Sequence, residues 1–179
     1  MRTSPLLLLV ASTSLLALAA CGSEADRPDS EGSNTLSVAA AAATTPQATL
    51  SAEERETFRQ LARSYMDDAA PDLTEGFRAA SGFEDEVVAL QPTQTHNWRV
   101  RLDGGQTYRI LGACDNECTN MDFHLLDASG AVVASDTLED SFPVVDVSPA
   151  ADGEYTVRFT MVTCTVAPCF AAGRVYQAG

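Results

Sequence analysis

The residues best equipped for chemistry in this sequence are four cysteines and the acids around them. Cys114-Asp-Asn-Glu-Cys118-Thr-Asn-Met-Asp122 carries one cysteine pair, and Cys164-Thr-Val-Ala-Pro-Cys169 carries the other. The C-x3-C and C-x4-C spacings miss the C-x2-C knuckle of structural zinc sites. The acids are hard oxygen donors of the kind calcium takes in sets of six to eight. If the loops that carry them converge, Asp115, Asn116, Asp122, Asp136 and Asp140 are the expected calcium ligands, and calcium is the only cofactor the sequence suggests. No EF-hand spacing accompanies them. Catalysis has less to stand on. The two histidines are His96 and His124. His124 shares a strand face with Asp122, a base beside its orienting carboxylate, yet no serine or cysteine nucleophile is specified near it. Phosphate-cradling glycine loops, H-E-x-x-H and G-x-S-x-G are all missing. No enzyme is expected, and a hydrolase built on His124 is a distant alternative.

Charge narrows the partners. The 179 residues hold 25 acids and 11 basic residues, every one of them arginine, for a formal net charge of −14. Such a chain repels nucleic acid and anionic headgroups, so no nucleic-acid partner is expected. It suits cations, basic partners or plain solubility.

The elements that must position these residues begin after a targeting segment. Residues 1–20 have Arg2 and an apolar run from Leu6 to Leu18, short of the about 20 residues that span a bilayer. The run ends Leu18-Ala-Ala-Cys21, which resembles the lipobox of bacterial lipoproteins. The resemblance implies that Cys21 is acylated, giving a membrane attachment through lipid. Gly22 is not the aspartate that retains such proteins at an inner membrane, so the outer membrane is the expected destination. Residues 21–50 are rich in Ser, Ala, Thr, Gly and acids and read as a disordered tether. Residues 51–85 read as a helical segment. Ser51-Ala-Glu-Glu54 has the capping-box form, Phe58, Leu61, Ala62, Tyr65, Met66 and Ala69 fall on one helix face, and Pro71 is the expected stop. A second short helical turn is expected around 72–80.

From residue 86 to 179 the apolar period changes to two. Val87–Leu90, Trp98–Leu102, Tyr108–Cys114, Met121–Leu125, Val132–Asp136, Val144–Val147, Tyr155–Met161 and Phe170–Tyr176 alternate between Gly, Pro and Asp turns. Short alternating strands at close spacing predict a mainly β, antiparallel sandwich of seven or eight strands, preceded by the amphipathic helix and the tether. The order W-x-V-x-L-x-x-G-x-x-Y-x-I, then D-x-x-L-x-D-x-x-G, then D-G-x-Y-x-V, over about Thr95 to Gln177, resembles the bacterial pre-peptidase C-terminal domain and is similar to bacterial collagen-binding modules. The resemblance implies a jelly-roll-like sandwich and a part in binding or targeting. Where that family often shows D-L-D-L, this chain has Asn120-Met-Asp-Phe123, and it has no protease domain for the module to assist.

An even number of cysteines in an exported chain reads as two disulfides. Strand parity puts both pairs, and the 136–140 loop, at one end of the sandwich. Cys114–Cys118 and Cys164–Cys169 are favoured, and the crossed pairing stays open. The function these features suggest is a non-catalytic cell-envelope lipoprotein that presents its disulfide-capped acidic end, away from the membrane, to a protein or polysaccharide partner. The alternative is an assembly subunit of an envelope complex, docking through the Phe58/Leu61/Tyr65 face.

Overall fold

A computed structural model describes residues 45–179. The expected signal segment, Cys21 and most of the expected tether lie outside the described residues. Among the described residues, no helix is long and apolar enough to cross a membrane.

Helix α1 spans Ala52–Leu73 and opens with the anticipated capping box. The Ser51 hydroxyl accepts from the Glu54 amide at 3.2 Å, and the Glu54 carboxylate accepts from the Ser51 amide at 2.7 Å. Pro71 does not stop it. The proline sits in the last turn, and the helix runs on to Leu73, where Thr74 closes it by donating its backbone N–H and its hydroxyl to the Ala70 carbonyl.

Nine strands follow: β1 Phe77–Ala79, β2 Glu86–Leu90, β3 Thr95–Leu102, β4 Tyr108–Cys114, β5 Cys118–Leu126, β6 Val132–Asp136, β7 Val144–Val147, β8 Gly153–Cys164 and β9 Cys169–Ala178. They form two antiparallel sheets. In one, β1 and β2 both pair with β9, which continues to β4 and β7; the other runs β3-β8-β5-β6. Eight strands match the alternating stretches of the sequence. The ninth, β1, replaces the helical turn expected around 72–80. Gly76, in the left-handed region at φ 81°, turns the chain so that Phe77 pairs with Ala178. The segment 51–85 is therefore not a separate helical piece. Its last residues add to the same sheet as β9.

The two sheets face each other through Val100, Leu102, Tyr108, Ile110, Met121, Phe123, Leu125, Val145, Val157, Phe159, Met161 and Val175. At the centre, Phe123 and Phe159 are cross-strand partners with ring centroids 4.6 Å apart. They press into a notch in the opposite sheet where Gly112 and Gly173 are themselves partners. A Cβ on Gly173 would stand 2.7 Å from the Phe159 ring, and one on Gly112 would collide with Phe123.

The second layer of packing explains why β4 and β9 do not alternate. Both are apolar on two faces, because α1 lies on the far side of their sheet. Ala62 and Met66, with Phe58 and Tyr65, pack on Leu111, Ala113, Phe170, Ala172 and Tyr176. Phe58 stacks on Phe170 at 5.7 Å. Three arginines tie the helix down. Arg59 donates to the Val87 carbonyl, and Arg109, bidentate to Asp146, also donates to the Leu73 carbonyl at the helix C-terminus. Arg174 of β9 forms a bidentate pair with Asp85 at 2.7 and 2.6 Å and reaches Asp67 of the helix at 2.7 Å. Replacing Arg174 by Gln is expected to lower stability by about 1.5–3 kcal/mol, read as a lower urea midpoint. Most of that comes from the half-buried Asp85 pair rather than from exposed Asp67.

Candidate functional site

The loops at the cysteine end do converge. Cys114 and Cys118 have Cα atoms 5.8 Å apart, and Cys164 and Cys169 6.1 Å, so the favoured local pairs are those at bonding distance. The Met121 amide donates to the Asp140 carbonyl, and the Ser141 hydroxyl to the Cys118 carbonyl.

The acids of this end are brought near one another but are spent locally. Asp115 is 1% exposed. Its Oδ1 accepts from the Glu117 amide at 3.2 Å and its Oδ2 from the Phe170 amide at 2.8 Å. Burial pushes its pKa up to about 6, against the downward pull of those amides. Asp136 accepts from the Leu138 and Val144 amides, and Asp140 from the Phe142 amide. Asn116 is exposed and donates to the Glu117 carboxylate. Asp122 lies on the outer face of β5, its pKa raised by burial, with His124 opposing the shift and Asp136 adding to it. Among the described residues no three His, Cys, Asp or Glu side chains gather as a metal site requires. Of the five residues expected as calcium ligands, Asp115, Asp136 and Asp140 accept from backbone amides of their own end, whereas Asn116 and Asp122 cap none among the described residues.

His124 sits directly opposite Ser135 of β6 and Arg158 of β8. Its Nδ1 is enclosed without a hydrogen-bond partner. No hydrogen bond joins it to Ser135 or Asp122 among the described residues, so the base–nucleophile contact of an activated serine is not formed here.

The chain joins the body at this same end. The Ala48 amide donates to the Ala167 carbonyl, and the Ala167 amide to the Pro46 carbonyl, both at 2.8 Å, inside the loop closed by Cys164–Cys169. The tether, expected to reach residue 50, is thus already paired at 46–48, and it arrives at the disulfide-capped end. The helix face expected to dock a partner is likewise occupied, since Phe58 and Tyr65 are packed on their own sheet.

An open concavity lies elsewhere, along the side of the sandwich where edge strand β3 faces the segment leading into β2. It has a volume of about 540 Å³ and is lined by residues 82–86 and 98–101. Its base holds Trp98, the only tryptophan of the chain, which leans on Phe159 at 6.3 Å. Phe83 is anchored edge-on against Tyr108 at 6.4 Å. Two of the three acids on the wall opposite β3 are engaged: Asp85 holds Arg174, and Glu86 meets His96 at 2.6 Å, closing one end of the groove, while Glu84 is exposed. The basic wall is not so engaged. Arg99 is 78% exposed with only a 3.9 Å approach to Glu154, and Arg101, also exposed, has no ion pair among the described residues. This groove escaped the reading of the sequence because its walls come from two stretches, each of which reads as ordinary strand or loop. The one local signal was a pair of arginines, Arg99 and Arg101, on the solvent face of a strand in an acidic chain.

No known family model matches the chain, and no curated protein matches it either.

Proposed function

We propose that this protein is a non-catalytic accessory module of the bacterial cell envelope. It is held by lipid at Cys21, and it engages a protein or polysaccharide partner at the groove between residues 82–86 and 98–101. The observation that carries this reading is the groove itself: a concavity lined by the lone tryptophan, with two exposed arginines on its rim of which, among the described residues, only Arg99 approaches an acid, at 3.9 Å, in a chain of net charge −14. A jelly-roll-like arrangement of the two sheets, and kinship with the pre-peptidase C-terminal modules, belong to the same proposal. So does an outer-membrane location.

The chain enters the body at the disulfide-capped end. Residues 46–48 are bonded to Ala167, within the loop closed by Cys164–Cys169. The groove lies toward the opposite end of the body, where Leu102 pairs with Gly153.

Photo-crosslinkers placed in intact cells at Arg101 and, for comparison, at Asp140 test this. Capture of one discrete species from Arg101, lost when Trp98 and Arg99 are replaced by alanine, is the expected result. Capture from Asp140 alone returns the binding surface to the disulfide end.

A further inference from the structure

Resting on that reading, we infer that the groove takes an extended peptide with acidic residues at alternate positions and apolar residues between them, added as a strand to the edge of β3. The two edges of the four-stranded sheet differ. β6 has five residues and its pairing with β5 is broken by a bulge at Leu125/Leu126. Strand β3 has eight residues, no proline, and an uninterrupted register with β8 from Thr95↔Thr160 to Leu102↔Gly153. A long, regular edge presents a row of unpaired backbone donors and acceptors, the template that strand addition uses. A neighbouring strand sits about 4.8 Å beyond its partner, and beyond Trp98–Arg101 that position is the groove.

The side chains of β3 then dictate which peptide fits. Period-two alternation turns Arg99 and Arg101 to the outer face and Trp98 and Val100 inward. Residues of an added strand alternate in the same way. Those on the outer face lie beside two arginines, whose planar guanidinium groups suit carboxylates. Those facing inward meet Trp98, Val100 and, across the groove, Phe83. The Glu86–His96 contact blocks extension past residue 96, so the register has one closed end. Strand addition draws its affinity from backbone hydrogen bonds and its specificity from these alternate pockets. A polyanionic glycan would satisfy the arginines but leave the backbone edge unpaired.

Trp98 provides the readout, since it is the sole tryptophan and lies at the base of the groove. The lipid-free protein is titrated with a capped peptide alternating glutamate and valine, with the same peptide N-methylated at alternate amides, and with a uronic-acid polysaccharide. The expected result is a saturable change in tryptophan emission with the first peptide only, at a Kd on the order of 10–100 μM. Arg99→Glu with Arg101→Glu weakens it about tenfold or more, while the remote reversals Arg55→Glu and Arg78→Glu leave it unchanged. All four arginines are exposed, so the variants keep the fold, which far-ultraviolet circular dichroism checks. Equal weakening by the remote pair, equal binding of the N-methylated peptide, a response to the polysaccharide alone, or no response at all each overturns strand addition. If the peptide fails while crosslinking from Arg101 in cells succeeds, the groove remains a binding site and only the peptide is lost. If both fail, the functional reading falls with it.

Discussion

Replacing Phe123 by alanine is expected to cost about 3–5 kcal/mol, the range for deleting a fully enclosed aromatic. For a domain of this size, at roughly 4 °C per kcal/mol, that lowers the melting temperature by about 12–20 °C. The argument rests on four residues that act as a unit. Phe123 and Phe159 are direct partners in one sheet and wholly buried, and Gly112 and Gly173 are direct partners in the other. The glycines are there because a methyl group at either position would occupy space that a ring already fills. Gly112→Ala alone is therefore expected to cost about 1–3 kcal/mol by overpacking. In the Phe123→Ala background the same change should cost little, since the methyl then enters the vacated volume. A double-mutant cycle in urea measures this coupling, and strictly additive penalties would show that the notch is not what requires the glycines.

The second large effect is at Asp115. Its carboxylate joins the loop between Cys114 and Cys118 to the first turn of β9 through the Glu117 and Phe170 amides, and its backbone N–H donates to the Phe170 carbonyl. Asp115→Ala leaves two amides without acceptors and is expected to cost about 2–4 kcal/mol at neutral pH. The pH dependence carries the more specific signature. The unfolded chain gives up the Asp115 proton near pH 3.8, and the folded chain near 6. Between those values the native state holds a proton that the unfolded state has lost, so this group's contribution to stability is fully present below pH 3.8 and is lost as pH rises through 6. A difference of about two pH units corresponds to about 3 kcal/mol. The stability difference between wild type and Asp115→Asn should therefore widen in favour of wild type as pH falls from 7.5 to 5. A difference that does not move with pH would mean that the carboxyl is not desolvated in the folded state.

Periodicity made most of the architecture legible. The alternation in Met121–Leu125 and Tyr155–Met161 placed β5 and β8, and Ser51 with Glu54 placed the start of α1. The cysteine spacings were read as local pairs, and those pairs are the ones within disulfide distance, although each spans a short connection from one sheet to the other, β4 to β5 and β8 to β9, and not a hairpin. Three things were not legible, each for its own reason. β1 has only three residues and owes its pairing to β9, a partner about a hundred positions away, rather than to its own pattern. The amide-capping contacts of Asp115, Asp136 and Asp140 were not legible because sequence shows carboxylates but not the backbone amides near them in the fold. Pro71 looked like a stop because a proline costs a helix one hydrogen bond, yet in a last turn already tied to Arg109 and Thr74 that loss is tolerated. The groove belongs with β1: it is made by tertiary neighbours.

The way the chain joins the body has a mechanical consequence. Tension applied between an anchor upstream of residue 45 and a partner on β3 reaches the fold first at Pro46–Ala48, which two hydrogen bonds hold to Ala167. That contact lies on a loop closed covalently by Cys164–Cys169, so the pull cannot unravel the strands behind it. Once the two bonds part, the next element in line is the 22-residue helix α1, lying on the outside of the sandwich. Peeled off one turn at a time, it releases about 75 Å of extended chain, while β3, β8 and the groove stay assembled. If Cys21 is lipid-anchored and the groove holds a partner, as proposed, the helix would be a shock absorber in series between them, lengthening before the groove is disturbed.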